Sequence, residues 1–265
     1  MSEVLFEIAG VEVTITGIYG LASVIILFFF MSLWIIGRKK RTGKEIFAGQ
    51  VMNGIGFGLL PALAVLKAFQ EAGTGAGSRV PEPLPSIPWL SLNGYYMPGR
   101  IETTAAAALF ILLCLQLILS KEAFPDNGDL IMISVCIWAA IRLVTEDFRR
   151  EPMDLFRYTS CGTILICAAA WSARRARHIR IPARTMIEPA VVFVCILINL
   201  LTTKKILSMG SEIADFAVKT GSAAIMLLLT LMTGEEYRRI LQKTAPAEQQ
   251  ATAIGDTQVV AKAMK

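Results

Sequence analysis

The chain has 265 residues, of which 54% are hydrophobic and only 18% are charged, and its mean hydropathy is +0.57. A water-soluble domain of this length needs more polar surface, so this composition predicts an integral membrane protein. The net charge of +5 does not indicate nucleic-acid binding. The basic residues lie beside hydrophobic segments, so anionic lipids at the cytoplasmic face are the expected partners.

Seven apolar segments predict transmembrane helices, because the hydrophobic residues come in blocks rather than in alternation. In chain order these segments are Thr14–Gly37, Gly49–Phe69, Glu102–Ser120, Leu130–Thr145, Tyr158–Ser172, Pro189–Leu201 and Ala217–Thr233. We therefore expect an all-α, polytopic membrane protein whose transmembrane domain covers residues 1–243. Residues 244–265 are rich in Ala, Gln and Thr and lack an apolar face, which predicts a mobile cytoplasmic tail.

Two basic loops predict the orientation of these helices. The loop RKKRTGKE follows the first segment, and ARRARHIRIPAR follows the fifth. Short loops rich in Lys and Arg stay in the cytoplasm, so the N-terminus is expected outside and the C-terminus in the cytoplasm. The start of the third segment and the end of the fourth then lie together at the outer face.

Charged residues at these two places are the candidate functional residues. Arg100 and Glu102 open the third segment, and Arg142, Glu146 and Arg149 close the fourth on one helical face. An arginine at membrane depth offers a planar fork of donors that suits a lipid phosphate. Alternatively, Arg142 and Glu146 form an intrahelical ion pair that neutralises both charges, which does not exclude lipid binding.

Two glutamates are candidates for a general base. Burial away from water would favour the protonated form of the Glu102 or Glu146 carboxylate and so make it a stronger base. For Glu102 the alternative is a structural one, since a negative charge is favourable at the start of a helix.

Other motifs indicate packing rather than chemistry. The five cysteines all lie within apolar runs without metal-ligand spacing, so we expect buried thiols and no disulfide, metal or cofactor. The single histidine, His178, lies in the second basic loop, away from the outer face. The stretch GIGFG, Gly54–Gly58, has no strand before it, which predicts close helix packing rather than a nucleotide loop.

The segment RLVTEDFRREP resembles one found in bacterial prolipoprotein diacylglyceryl transferases. The family segment reads approximately Arg-Phe-x-x-Glu-Phe-Phe-Arg-x-Pro, and it matches this chain at Arg142, Glu146, Phe148 and Arg149. Two further stretches are similar to the family and occur in the same order. They cover the first apolar segment, with Tyr19 followed by glycine, and the third, where Glu102 matches the end of the family's His-Pro-x-Gln-Leu-Tyr-Glu motif.

The resemblance covers residues 1–172, and residues 173–243 are expected to hold two additional helices. It implies a multi-pass protein of the bacterial cytoplasmic (inner) membrane that needs no cofactor. Its partners would be phosphatidylglycerol, whose diacylglyceryl group is transferred, and a lipoprotein signal peptide, whose cysteine thiol receives it. Carried over to this chain, the family's arginine and glutamate roles fall to Arg142 and Glu146, and its early tyrosine to Tyr19. Arg100 and Arg149 are further candidates for lipid binding from their position at the outer face.

Two elements of the family have no full counterpart here, and they leave a second function open. The His-Gly-Gly element with the family's essential histidine is missing, and a longer Gly-Arg-x-Gly-Asn signature is reduced to Asn93–Gly94. The base in an active enzyme would therefore be Glu146, Glu102 or a residue that the sequence does not identify. The alternative is a non-catalytic membrane protein that binds lipid or a lipoprotein precursor, or scaffolds a complex. A transporter is a weaker third option, because no paired, broken helices are evident.

Overall fold

Seven α-helices make up most of the chain in a computed structural model that describes residues 4–8, 11–42, 48–68, 88–92, 95–119, 128–149, 154–177 and 182–263. These helices are α1 (Ile15–Thr42), α2 (Ala48–Ala68), α3 (Pro98–Leu119), α4 (Asp129–Thr145), α5 (Asp154–Ala176), α6 (Pro182–Thr203) and α7 (Glu212–Ala263). A 3₁₀ turn, Glu146–Phe148, follows α4 directly. The predicted all-α class is confirmed.

Two short pairs of antiparallel strands were not predicted. Strands β1 (Val4–Ile8) and β2 (Val11–Thr14) form a hairpin directly before α1. Strands β3 (Ser91–Leu92) and β4 (Tyr95–Tyr96) pair just before α3. In β2 the alternation of the sequence VEVT has the period of a strand. The apolar pattern of the first 40 residues did not indicate this strand, because a long apolar helix follows it directly.

The distribution of polar and apolar side chains is that of a membrane protein. Four stretches are long and apolar enough to cross a membrane: Gly17–Lys40, Ala48–Ala68, Pro98–Gln116 and Glu212–Ile240. Leu21, Ile25 and Phe28 of α1 are exposed, whereas Asn53 and Asn199 are buried in the bundle. Apolar residues outside and polar residues inside fit a lipid surrounding and not an aqueous one.

Each of the seven predicted segments corresponds to a helix, but not every helix is as long as the hydrocarbon core is thick. The 17 residues of α4 span roughly 26 Å at 1.5 Å per residue, against a core of about 30 Å. Helix α6 carries a shorter apolar stretch, Ile187–Thr203. The structure thus supports a helical membrane protein with four clear candidate spans.

Helix α4 lies at the centre of the described bundle. It packs against α2 and α3 on one side and against α5 and α7 on the other, while α1 covers α2 and α6 covers α5 and α7. The close approach of α2 to α4 depends on Gly56, where an added Cβ atom would lie 2.4 Å from the backbone nitrogen of Ile131. Gly54 and Gly58 meet α1 in the same way. The prediction that GIGFG serves helix packing is confirmed.

Helix α7 extends over the segment for which a mobile tail is predicted. Its backbone is helical as far as Ala263. The alanine and glutamine content of residues 244–263 favours this conformation because both residues are good helix formers. The mobility of this segment stays a prediction.

Successive helices run in opposite directions, so the starts of some helices meet the ends of others at each end of the bundle. The two ends carry different ionic groups. We define the site end by Lys67, Glu102 and Arg142, which lie at the end of α2, the start of α3 and the end of α4. The opposite end holds Asp129, which opens α4, and Arg174, which closes α5 and donates to Asp129.

Candidate functional site

Glu102 is the centre of an ionic cluster at the site end of the bundle. It lies in the first turns of α3 and is fully buried. Its Oε1 atom accepts hydrogen bonds from Arg142 Nη1 at 2.9 Å, Arg149 Nη2 at 2.8 Å and Thr145 Oγ1 at 2.9 Å. Lys67 Nζ lies 3.8 Å from the other oxygen, Oε2. One carboxylate therefore joins the ends of three helices.

A second buried carboxylate, Glu146, holds the same two arginines from the other side. Its Oε2 atom lies 3.4 Å from Arg142 Nε and 3.2 Å from Arg149 Nε. The ion pair predicted from the spacing of Arg142 and Glu146 is thus confirmed, but it is one part of a larger network. We name Lys67, Glu102, Arg142, Glu146 and Arg149 the Glu102 cluster.

The cations of the Glu102 cluster form its accessible face. The side chains of Arg149, Lys67 and Arg142 are 25%, 13% and 11% exposed, whereas both carboxylates are completely buried. The guanidinium of Arg142 also lies 4.5 Å from the centre of the Phe156 ring on α5, a cation–π contact that orients it.

The three cations of the cluster surround two buried carboxylates and keep part of their own side chains accessible. An anion that reaches this face meets positively charged donors that are already held in place. Arginine donors held in fixed positions match the oxygen atoms of a phosphate group. This arrangement is therefore able to bind and partly neutralise a phosphate.

The structure brings together four of the six residues predicted for the site: Glu102, Arg142, Glu146 and Arg149. Arg100 lies elsewhere, with its guanidinium 5.1 Å from the centre of the Trp89 ring and a hydrogen bond of 3.4 Å to the Trp89 carbonyl. Because Arg100 and Glu102 are two positions apart on a helix, they point to different sides of α3.

The remaining predicted residues are less defined. Tyr19 lies on α1 and is partly buried, and its role in lipid binding stays a prediction. His178 and the Asn93–Gly94 pair lie outside the described residues.

Sequence reasoning missed Lys67 and Thr145. Lys67 ends the second apolar segment at the predicted outer face, so its depth was available from the topology, but its proximity to Glu102 depends on the packing of α2 against α3. Thr145 lies three residues after Arg142 and therefore shares its face. This spacing pointed to Thr145 as part of the site. Threonine hydroxyls in helices commonly bond only to a backbone carbonyl, however, so the spacing alone was a weak indication.

The opposite end of the bundle carries different ionic contacts. Arg175 of α5 is buried and pairs with Glu188 of α6 and Glu236 of α7, which ties these three helices together. Burial lowers the pKa of Arg175, but the hydrogen bonds and charges of the two glutamates outweigh burial and raise the pKa. This guanidinium therefore stays charged and acts as a structural tie.

A cavity of about 180 Å³ lies between α3, α4 and α7 at this opposite end. Half of its lining residues are leucine or isoleucine, and Asp129, Glu235 and Arg238 border it. Because Asp129 opens α4 and Arg142 lies near its last turn, the cavity is not part of the Glu102 cluster.

No described group of three or more His, Cys, Asp or Glu side chains is arranged to hold a metal ion. Comparisons of the chain with protein-family models, curated proteins and solved structures found no match. The functional argument therefore depends on the chemistry of the Glu102 cluster and on the short sequence resemblance.

Proposed function

We propose that this chain is a diacylglyceryl transferase-like membrane protein that binds phosphatidylglycerol at the Glu102 cluster. The acceptor would be the cysteine thiol of a lipoprotein precursor. The observation that carries the proposal is the pair Arg142 and Arg149, which two buried carboxylates hold in place while the guanidinium groups remain partly accessible. These are the arginines at which the chain resembles the transferase family.

The chemistry of this transfer suits the cluster. The thiolate sulfur forms a bond to the glycerol carbon of the diacylglyceryl group, and the bond between that carbon and the phosphate oxygen breaks. The electron pair stays on the oxygen, and glycerol phosphate leaves. Arginines placed at the phosphate stabilise the negative charge that develops there.

A base must accept the thiol proton, and Glu146 is the first candidate. Its contacts with Arg142 and Arg149, at 3.4 and 3.2 Å, are longer than the three hydrogen bonds of 2.8–2.9 Å on Glu102 Oε1. Glu146 shares one helical face with Arg142 and so lies beside the group that would hold the phosphate. Glu102 is the second candidate.

A specific observation also favours the alternative, a non-catalytic protein that binds lipid or a lipoprotein precursor or scaffolds a complex. Both carboxylates lie fully buried beneath the arginines that they bind. In this arrangement their main effect is to orient the cations. A phosphate-binding site needs this orientation whether or not chemistry follows.

The discriminating experiment combines the purified protein with phosphatidylglycerol and a synthetic lipoprotein-signal peptide, and mass spectrometry measures diacylglyceryl transfer. We expect transfer by the wild type, its loss in Glu146→Gln, and its retention in the control Glu235→Gln at the opposite end. Activity that survives in Glu146→Gln but not in Glu102→Gln assigns the base to Glu102. A folded, lipid-loaded wild type without transfer supports the non-catalytic alternative.

The topology is part of the same proposal: seven spans in a bacterial cytoplasmic membrane, with the N-terminus outside. The site end would then face outward, where lipoprotein precursors emerge from the membrane. A single cysteine introduced at Trp89 should react with a membrane-impermeant reagent in intact cells. A cysteine at Arg177 should react only after permeabilisation, and the reverse pattern would reject the outward-facing site.

A further inference from the structure

The cavity at the opposite end of the bundle is elongated along the helix axes. Leu109, Leu113 and Gln116 line it from one face of α3, and Ile133 and Ile137 line it from one face of α4. Between Leu109 and Gln116 the helix rises by about 10 Å at 1.5 Å per residue. The cavity of about 180 Å³ therefore runs parallel to the helices over roughly two turns.

The mouth of this cavity lies between α3 and α7. Both helices pack against α4, but they hardly touch each other in the part of the chain that the structure describes. Leu112 and Gln116 on the α3 side of the mouth are exposed, and both helices carry candidate membrane spans. In a membrane the mouth therefore opens towards the lipid.

The inner wall of the cavity is apolar and shielded. Leu113 and Ile137 are each only 5% exposed, and the Trp171 ring of α5 is fully buried. Gly234 of α7 lies directly against this ring, since an added Cβ atom would be 3.0 Å from it. The described residues thus leave the mouth between α3 and α7 as the way to the inner wall.

The size and the walls of the cavity suit a hydrocarbon chain. A dry cavity of about 150 Å³ lined by apolar side chains binds one benzene molecule. The cavity here is slightly larger and elongated, so it takes a chain of roughly six to eight carbons and excludes a helix about 10 Å wide. In a membrane, phospholipids present such chains at every mouth that faces the lipid.

The depth of the cavity indicates which leaflet supplies the chain. Each leaflet contributes about 15 Å of a hydrocarbon core that is about 30 Å thick. The cavity begins at Leu109, about 10 Å along α3 from Glu102, and ends near Gln116, about 21 Å from Glu102. A chain from a lipid at the site end would reach only the beginning of the cavity, whereas a chain from the other leaflet runs along its whole length.

Basic side chains lie at the end of the cavity that is farther from the Glu102 cluster. Arg238 borders the cavity, and Arg174 donates to Asp129, which also borders it. The Arg174 side chain is 35% exposed. A guanidinium has five N–H donors, so an arginine that holds a carboxylate can also bind a phosphate oxygen. This end of the cavity is therefore suited to a phospholipid headgroup.

We propose that the cavity binds one acyl chain of a phospholipid from the leaflet at the opposite end, with the lipid phosphate beside Arg174. This lipid is distinct from the phosphatidylglycerol proposed at the Glu102 cluster, and its site does not depend on the proposed transfer. The chain fills the space that α3 and α7 leave over α4, and its contacts add to the packing of the bundle.

The test maps the position of the chain by photolabelling. The full-length protein is placed in phosphatidylcholine nanodiscs that contain a small fraction of phosphatidylcholine with a diazirine in one acyl chain, and mass spectrometry locates the labelled residues after illumination. We expect label on Leu113 and Ile137, which the surrounding lipid does not reach because both are buried. Ile118, which is 76% exposed on α3, reports labelling by the surrounding lipid.

The position of the diazirine in the chain tests the choice of leaflet. A diazirine near the headgroup should label residues around Gln116, and one near the methyl end should label residues around Leu109. The reverse order shows that the chain comes from a lipid at the site end, and it overturns the separate lipid site.

A bulky substitution tests whether the chain lies in the cavity. Leu231 lines the cavity from α7, so Leu231→Trp should fill part of it and abolish the label on Leu113 and Ile137. The matched control Leu228→Trp changes a leucine of the same helix that is 60% exposed, and it should keep the label. If Leu231→Trp does not fold, Leu231→Phe replaces it, because phenylalanine adds a smaller ring at the same position.

The outcomes either support the site or overturn it. Label on the buried residues that is lost in the folded Leu231 variant and kept in Leu228→Trp supports the site. Label confined to exposed residues such as Ile118, or unchanged label in the folded Leu231 variant, overturns it. A parallel experiment uses a free fatty acid with the same diazirine, and label on the buried residues from the fatty acid but not from the phospholipid rejects the phospholipid as the occupant.

Discussion

Replacement of Glu102 by glutamine should destabilise the protein more than the same replacement of Glu146, the other carboxylate of the cluster. Glutamine has the same shape and keeps one neutral oxygen acceptor, so the three hydrogen bonds to Oε1 are weakened rather than removed. Hydrogen bonds to charged groups contribute about 1.5–3 kcal/mol, roughly twice the neutral value. A loss of about 1 kcal/mol in each bond lowers the free energy of unfolding by about 3 kcal/mol.

The same reasoning predicts a smaller effect at the other carboxylate. The contacts of Glu146 with Arg142 and Arg149 are longer, so Glu146→Gln should cost about 1–2 kcal/mol. The control Glu235→Gln changes a carboxylate that is 32% exposed and pairs with Arg238 and Arg239 within one helix, and it should cost about 0–1 kcal/mol.

Denaturant titration of the three variants and the wild type in the same detergent measures these differences. The order of destabilisation, with Glu102 first, Glu146 second and Glu235 last, is the result that follows from the geometry. An unfolding free energy of Glu102→Gln equal to that of the wild type would refute Glu102 as the centre of the cluster. A larger loss for Glu235 would show that the opposite end limits stability.

Two further predictions concern lipid retention and helix packing. Arg142→Lys keeps the charge but loses the planar fork of donors, so the amount of copurifying phosphatidylglycerol should fall in part. In Arg142→Ala it should fall almost completely. A stably folded Arg142→Ala protein with an unchanged amount of lipid excludes a contact between Arg142 and the lipid phosphate. Gly56→Ala places a Cβ atom 2.4 Å from the Ile131 backbone and should cost about 1–3 kcal/mol of unfolding free energy. Gly162→Ala, with nothing within 4 Å of the new Cβ, should stabilise the helix by up to about 1 kcal/mol, and equal effects at both glycines would contradict the close packing.

The sequence by itself was sufficient for the fold class and for features that lie within one helix. Long apolar blocks predict helices because the backbone in a membrane must satisfy its own hydrogen bonds. The common face of Arg142, Glu146 and Arg149 follows from helical spacing alone. The packing role of GIGFG follows from the small size of its glycines. The hairpin β1–β2 was available from the alternation in VEVT, but it was outweighed by the apolar block after it.

Only the tertiary structure decided which charges meet. Glu102 and Arg142 are 40 residues apart, and Asp147 and Lys219 are 72 apart. The sequence placed Arg100 beside the arginines because it shares their depth, whereas the structure turns it towards Trp89 and brings in Lys67 instead. Depth along a helix can be read from the topology, but ion pairing also depends on rotation about each helix axis and on which helices are neighbours. Both are set by contacts between side chains far apart in the chain, such as Gly56 against Ile131, and no local pattern encodes them.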